Sequence, residues 1–188
     1  MSSIHRTGAV LLAAALTAVA GVPATAHAGE DRAGRDHGQP AAEAHSRPGA
    51  GGQLAKLKRD LQRFKDVRVA MAEGYLPASP CETSPEGGMG YHFLNPGHVG
   101  TDPTAPTVLL YEPEDDGSLH LAGVEWFVPD ADQDLTTDSD RPSLWGRGFD
   151  GPMAGHGPGM PVHYDLHVWL YEANPRGVFA PWNPRVSC

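Results

Sequence analysis

The stretch VHYDLHVWLYE, residues 162–172, follows a proline and alternates two kinds of side chain. Its β-branched and aromatic content favours a β-strand over a helix. Because successive side chains of a strand point to opposite faces, one uniformly apolar or aromatic set predicts the core side: Val162, Tyr164, Leu166, Val168 and Leu170. The other set is polar at one end and aromatic at the other, which is typical of a cleft wall: His163, Asp165, His167, Trp169 and Tyr171.

Three other segments predict strands of the same sheet. They are residues 90–94 (GYHFL), 107–112 (TVLLYE) and 119–128 (LHLAGVEWFV), each bounded by Pro, Gly, Asn or Asp. An Asp-Gly pair at residues 116–117 predicts a hairpin between the last two.

A helix is predicted ahead of these strands, over residues 53–74. Its apolar residues recur at helical spacing and form one stripe: Leu54, Leu57, Leu61 and Phe64. Asp66 is suited to cap a second helical turn. A helix followed by a run of strands predicts an α+β fold. We therefore expect an N-terminal helix packed on a mainly antiparallel sheet of about four strands.

The first 28 residues predict export. A short n-region at His5 and Arg6 precedes an apolar run over residues 8–20 and the small-x-small pattern Ala26-His27-Ala28. These features predict a secretory signal peptide and an extracellular location. Residues 29–52 are rich in Gly, Ala, Pro and charge and predict a flexible spacer. Residues 53–188 then form a single α+β domain.

Composition limits the classes of partner. The chain has 23 acidic against 14 basic residues and a formal net charge of −9. Phosphate binding needs clusters of Lys and Arg, so nucleic acid is excluded as a partner. No segment has the length and apolar content of a membrane-spanning helix. The oligomeric state does not follow from these patterns.

Cys81 and Cys188 are the only cysteines. In an exported chain a single pair predicts a disulfide, which would tie the C-terminus to the start of the domain. By the chain-entropy model a loop of more than a hundred residues gives roughly 4 to 5 kcal/mol of stabilisation, as an upper guide.

Glu125 is the most informative candidate site residue. It falls on a strand face shared with Leu121 and Phe127, where a carboxylate is costly unless it is paired, protonated or metal-bound. With His92 and His167 it would form a two-histidine, one-carboxylate set suited to zinc or Fe(II). His163 and His167 lie about 13 Å apart on a straight strand, so one ion takes only one of them, with Asp165 as an additional donor.

Two alternatives stay open for these residues. The histidines and carboxylates line a metal-free polar pocket for a small ligand, or Glu125 pairs with an arginine such as Arg147 or Arg185 and the histidines are structural.

A second candidate set lies in GPMAGHGPGM, residues 151–160. Met153, His156 and Met160 combine thioether and imidazole donors, which suit copper. The alternative is an ordinary loop in which the methionines fill gaps.

The motifs GMGYHFLNP, HYDLHVW and WNPRVSC resemble those of a group of small secreted bacterial proteins of uncharacterised function. The likeness covers roughly residues 64–188 and implies a common fold and a common site, without an activity or ligand.

We therefore expect a secreted domain that binds a metal ion or a small ligand in a histidine–carboxylate cleft. Two other functions remain open. One is a non-catalytic interaction module at the cell envelope, and the other is an enzyme that uses metal-assisted or acid–base chemistry.

Overall fold

Short helical segments precede the sheet in the computed structural model, which describes residues 49–188. They are α1 (Ala50–Asp60), a 3₁₀ helix (Gln62–Lys65) and α2 (Val67–Ala72). Asp66 caps α2 as predicted, because its carboxylate accepts a hydrogen bond from the backbone N–H of Arg68 at 3.0 Å. Its extended backbone, φ −88° and ψ 106°, separates α2 from the helical segments before it.

The described helices begin at Ala50, well inside the chain. The prediction of an N-terminal helix is therefore wrong. The predicted signal peptide, and the predicted spacer as far as residue 48, lie outside the described residues.

Nine β-strands follow within residues 49–188. They are β1 (Leu76–Pro77), β2 (Glu82–Ser84), β3 (Gly87–Leu94), β4 (Val108–Pro113), β5 (Leu119–Pro129), β6 (Ser143–Leu144), β7 (Arg147–Gly148), β8 (Asp150–Met153) and β9 (His163–Val168).

Seven of the described strands form one antiparallel sheet in the order β1-β3-β4-β5-β9-β8, with β2 also paired to β3. Strands β6 and β7 form a separate hairpin. The fold is α+β, but the predicted number of about four strands is wrong. The four predicted strands are the centre of the sheet, and the added strands β1, β2 and β8 are two to four residues long, too short to show a hydrophobic period.

The main core lies between one face of the sheet and the helical segments. Three residues of the predicted helical stripe are buried there, with Leu57, Leu61 and Phe64 between 1% and 3% exposed, and Leu54 packs against them partly buried. The apolar residues of β9 pack into the same core: Tyr164, Leu166 and Val168. Tyr171 also packs here, donating a hydrogen bond to the carbonyl of Lys58. It does not continue the cleft wall, because β9 ends at Val168 and the strand alternation stops with it.

The opposite face of the sheet carries a smaller apolar cluster under the C-terminal segment. The cluster consists of Val108, Leu110, Ala122, Trp169 and Val186. The predicted disulfide is confirmed: Cys81 and Cys188 are bonded, with their Cα atoms 5.8 Å apart. A bridge between Gly88 and Asn183 also binds the C-terminal segment to β3. All described residues belong to a single compact unit.

No helix within the described residues is long and apolar enough to cross a membrane.

Candidate metal centre

The register of the central strands brings three donor residues together on the sheet face opposite the helices. Glu125 on β5 lies directly opposite His167 on β9, and Val108 of β4 lies on its other side. His92 on β3 pairs with Leu110 of β4 and reaches over β4 toward Glu125. One ligand atom from each of His92, Glu125 and His167 lies within 4.8 Å of the others.

The histidine nitrogens face one carboxylate oxygen at distances too long for ordinary hydrogen bonds. His92 Nε2 lies 3.4 Å and His167 Nε2 lies 3.6 Å from Oε2 of Glu125. N–H···O hydrogen bonds in proteins are about 2.7 to 3.2 Å long. Donors held about 2.0 to 2.1 Å from one tetrahedral ion stand about 3.3 Å apart, close to the distances seen here.

Hydrogen bonds determine which nitrogen of His92 carries its proton. The hydroxyl of Ser79 donates to the carbonyl of Pro80 at 2.7 Å, so it can only accept from Nδ1 of His92, 2.9 Å away. Nδ1 therefore carries the proton and Nε2 presents a lone pair to Glu125. A lone pair facing a carboxylate oxygen is repulsive unless a proton or a cation lies between them.

His167 lies between two carboxylates. Its Nδ1 is 3.5 Å from Oδ1 of Asp165, while its Nε2 faces Glu125. Both nitrogens and Oδ1 of Asp165 are buried and form no hydrogen bond among the described residues. Buried polar atoms are nearly always satisfied by close hydrogen bonds, whereas these atoms have only the longer ion-pair contacts, and a bound cation would satisfy the carboxylate and imidazole lone pairs.

Burial dominates the electrostatics of the centre. It raises the pKa of Glu125 to about 7, where the charge of His167 opposes the shift and Asp165 adds to it. It lowers the pKa of His92 to about 3, and the charge of His167 lowers it further. Burial would also lower the pKa of His167, but the carboxylates of Asp165 and Glu125 outweigh it and raise that pKa to about 9. The buried carboxylates therefore require a positive charge, from protons or from a metal ion.

The arginines considered as partners of Glu125 lie elsewhere. Within the described chain, Arg147 lies 3.9 Å from Asp150 and Arg185 lies 3.9 Å from Glu172, and neither forms an ion pair with Glu125.

The centre opens into a cavity of about 710 Å³. All the candidate residues from both sequence sets line it: His92, Glu125, His163, Asp165 and His167 from the first, and Met153, His156 and Met160 from the second. Trp169 does not, because its side chain is buried in the apolar cluster beside Val186.

Several features of the candidate site could not be predicted from the sequence. Ser79 orients His92 from a loop that has no periodic pattern, and Pro181 and Trp182 line the cavity from the C-terminal segment. A second group of possible ligands, Glu112, His120 and Glu172, lies outside this cavity. The sequence could have indicated this second group only through the β4–β5 hairpin, whose register pairs Glu112 with His120.

Comparison of the chain with protein-family models, with curated proteins and with solved structures finds no match.

Proposed function

We propose that this protein binds a divalent transition metal, zinc in the first place and Fe(II) as the alternative, through His92 Nε2, Glu125 Oε2 and His167 Nε2. The observation that carries the proposal is the convergence of these three atoms within 4.8 Å. Two imidazoles and one carboxylate are a common ligand set for both ions.

The surroundings of the ligands support this choice. Metal-binding histidines usually engage their other ring nitrogen with a carboxylate, carbonyl or similar group, which orients the ring. Here Ser79 holds Nδ1 of His92, and Asp165 lies beside Nδ1 of His167.

Three protein ligands would leave a coordination position open, which is typical of catalytic rather than structural zinc sites. Metal-assisted chemistry on a small molecule is therefore the second candidate function, and the 710 Å³ cavity is large enough to admit one. Glu82, Asp150 and Asp165 contribute carboxylates to the lining, and no lysine or arginine of the described chain lines it. We expect neutral or cationic ligands to bind better than anionic ones.

We place the protein outside the cell. The disulfide fits an oxidising compartment, and the predicted signal peptide supports the same location.

The test is metal loading of the purified protein. After treatment with a chelator, we expect one equivalent of zinc or Fe(II) by elemental analysis. Replacement of a ligand, Glu125→Gln or His167→Ala, should weaken binding at least 100-fold. Glu114→Gln, which removes an exposed carboxylate outside the cavity, is the matched control and should bind like wild type.

A second comparison separates the two groups of possible ligands. Glu172→Gln should leave zinc binding unchanged, because Glu172 belongs to the group outside the cavity. Folding of every variant is checked by circular dichroism and thermal unfolding. Absence of stoichiometric metal, or wild-type affinity in folded Glu125→Gln, contradicts the proposal.

A further inference from the structure

A second set of donors lines the same cavity but takes no part in the proposed centre. It consists of His163 on β9, Met153 at the end of β8, and His156 and Met160 on the loop that joins these strands. His163 lies four residues before His167, about 13 Å along the strand, so the two groups cannot share an ion.

His163 is oriented as a ligand would be. Its Nδ1 donates a hydrogen bond to the carbonyl of Pro161 at 3.0 Å, which leaves the lone pair on Nε2. Its ring is 1% exposed and stacks on Phe127, with centroids 4.7 Å apart. In the described part of the chain the hydrogen bond of His163 is formed by Nδ1, and the ring lines the cavity. A fixed ring with an engaged Nδ1 and a lone pair on Nε2 is typical of metal-binding histidines.

The other donors come close to this ring. Met153 lies directly opposite His163 in the pairing of β8 with β9, where side chains on one face are neighbours. The imidazole centroid of His156 lies 5.4 Å from that of His163. Two imidazoles bound to one tetrahedral ion have centroids about 5 Å apart, so the two rings have nearly the spacing of co-ligands.

The loop holds Met160 beside His156. A Cβ at Gly155 would lie 2.0 Å from the carbonyl oxygen of Met160, so only glycine permits this close backbone approach. The loop is closed again by a hydrogen bond from the N–H of Met160 to the carbonyl of Gly157, 3.1 Å long. The loop backbone therefore brings Met160 close to the residue that precedes His156, and both methionines line the cavity with the two histidines.

From this arrangement we infer a second metal site, specific for Cu(I), formed by His163, His156 and Met153 with Met160 as a fourth donor. Thioether sulfur is a soft ligand that selects Cu(I), whereas zinc favours thiolate, imidazole and carboxylate. The exposed position of His156 leaves the site open at its rim. The inference is independent of the centre at Glu125.

The experiment measures Cu(I) binding under anaerobic, reducing conditions by competition with the chromophoric chelator bicinchoninate. It uses wild type and Glu125→Gln, so that the first centre is disabled in one of the two proteins. We expect one Cu(I) with similar affinity in both, and copper–sulfur scattering in the X-ray absorption spectrum.

The double variant Met153→Leu/Met160→Leu keeps side-chain volume and should weaken Cu(I) binding at least 10-fold and abolish the sulfur scattering. Met71→Leu, an exposed methionine on α2, is the matched control and should change neither. His163→Gln should weaken binding at least 100-fold.

Three results would overturn the inference: no Cu(I) binding, binding without sulfur scattering, or binding lost in Glu125→Gln and kept in the methionine variant. The methionine variant keeps the test valid if His163→Gln fails to fold. Zinc binding, measured in parallel, should be unaffected by the methionine variant. Failure of the zinc centre alone would leave the expected copper result unchanged.

Discussion

Ser79 is the residue that orients the imidazole of His92 in the proposed metal centre. It touches His92 without being a proposed ligand, since its hydroxyl accepts the Nδ1 hydrogen bond. We predict that Ser79→Ala weakens zinc binding about 10-fold, because an unsupported imidazole loses its orientation and tautomer. The measurement is zinc affinity by competition with a chelator. Ser143→Ala removes an exposed hydroxyl outside the cavity and is the control. Equal affinities in all three proteins would show that Ser79 has no positioning role.

Glu112 makes stability depend on pH. Burial, with the charges of Glu172 and Glu114, raises its pKa to about 7. The folded state therefore keeps this proton to higher pH than the unfolded state, whose pKa is near 4.5. Folding stability should fall as the pH rises from about 4.5 to 7, because ionisation is costlier in the folded protein.

Glu112→Gln should remove this pH-dependent loss. Solvent screening at the half-buried position limits the effect to about 1 kcal/mol. The measurement is chemical denaturation at pH 5 and pH 8 in the presence of a chelator, with Asp115→Asn as the control, because Asp115 is exposed and does not contribute to the raised pKa of Glu112. If Glu112→Gln loses as much stability as wild type between these two values, the assignment to Glu112 is wrong.

Among the elements, β3 depends on a glycine. Gly90 has φ +84°, and a Cβ there would lie 2.3 Å from the carbonyl oxygen of Tyr111. Gly117 has a similar φ of +81° but open space around it, so it is a matched control for the backbone conformation alone. We predict that Gly117→Ala costs about 1 to 2 kcal/mol.

Gly90→Ala should cost about 1 to 3 kcal/mol more, because β3 must move away from β4. It should also weaken zinc binding, since β3 carries His92. Denaturant unfolding and zinc affinity are the measurements. Equal stability of the two variants would contradict the close approach of Gly90 to Tyr111.

Helices and strands with a clear periodic pattern of hydrophobic residues were predictable from the sequence. The stripe around Leu57 and the alternation over β9 follow from burial on one face, so the helix and the central strands were expected. The short strands β1, β2 and β8 are held by neighbouring backbone rather than by their own hydrophobic pattern, so they were not.

The candidate site was predictable only in its chemistry. Alternation places His163, Asp165 and His167 on one face, and the position of Glu125 among apolar residues marks it as unusual. The strand register that puts Glu125 opposite His167 is a tertiary property. The contact from Ser79 comes from a loop and has no sequence signal.

At the scale of the whole molecule, the disulfide connects the C-terminal segment to the body of the domain. Cys81 and Cys188 close a loop of 107 residues, and the segment between β9 and Cys188 carries Pro181 and Trp182 of the cavity wall. We predict that the double variant Cys81→Ser/Cys188→Ser lowers the free energy of unfolding by about 2 to 5 kcal/mol. Denaturant unfolding measures this loss.

The control for that experiment is a direct check that the disulfide is formed in the wild-type protein. A free-thiol assay on unreduced, denatured wild type should find no thiols. Detection of two thiols, or unchanged stability in the double variant, would contradict a stabilising bridge.

Two groups of donor residues line the cavity. The central claim is that the first group, His92, Glu125 and His167, binds a metal ion. Its most direct test is anomalous diffraction at the zinc absorption edge from crystals of the zinc-loaded protein. We predict an anomalous peak about 2.0 to 2.2 Å from His92 Nε2, Glu125 Oε2 and His167 Nε2. Absence of a peak there, or a peak only beside Glu112, His120 and Glu172, would contradict it.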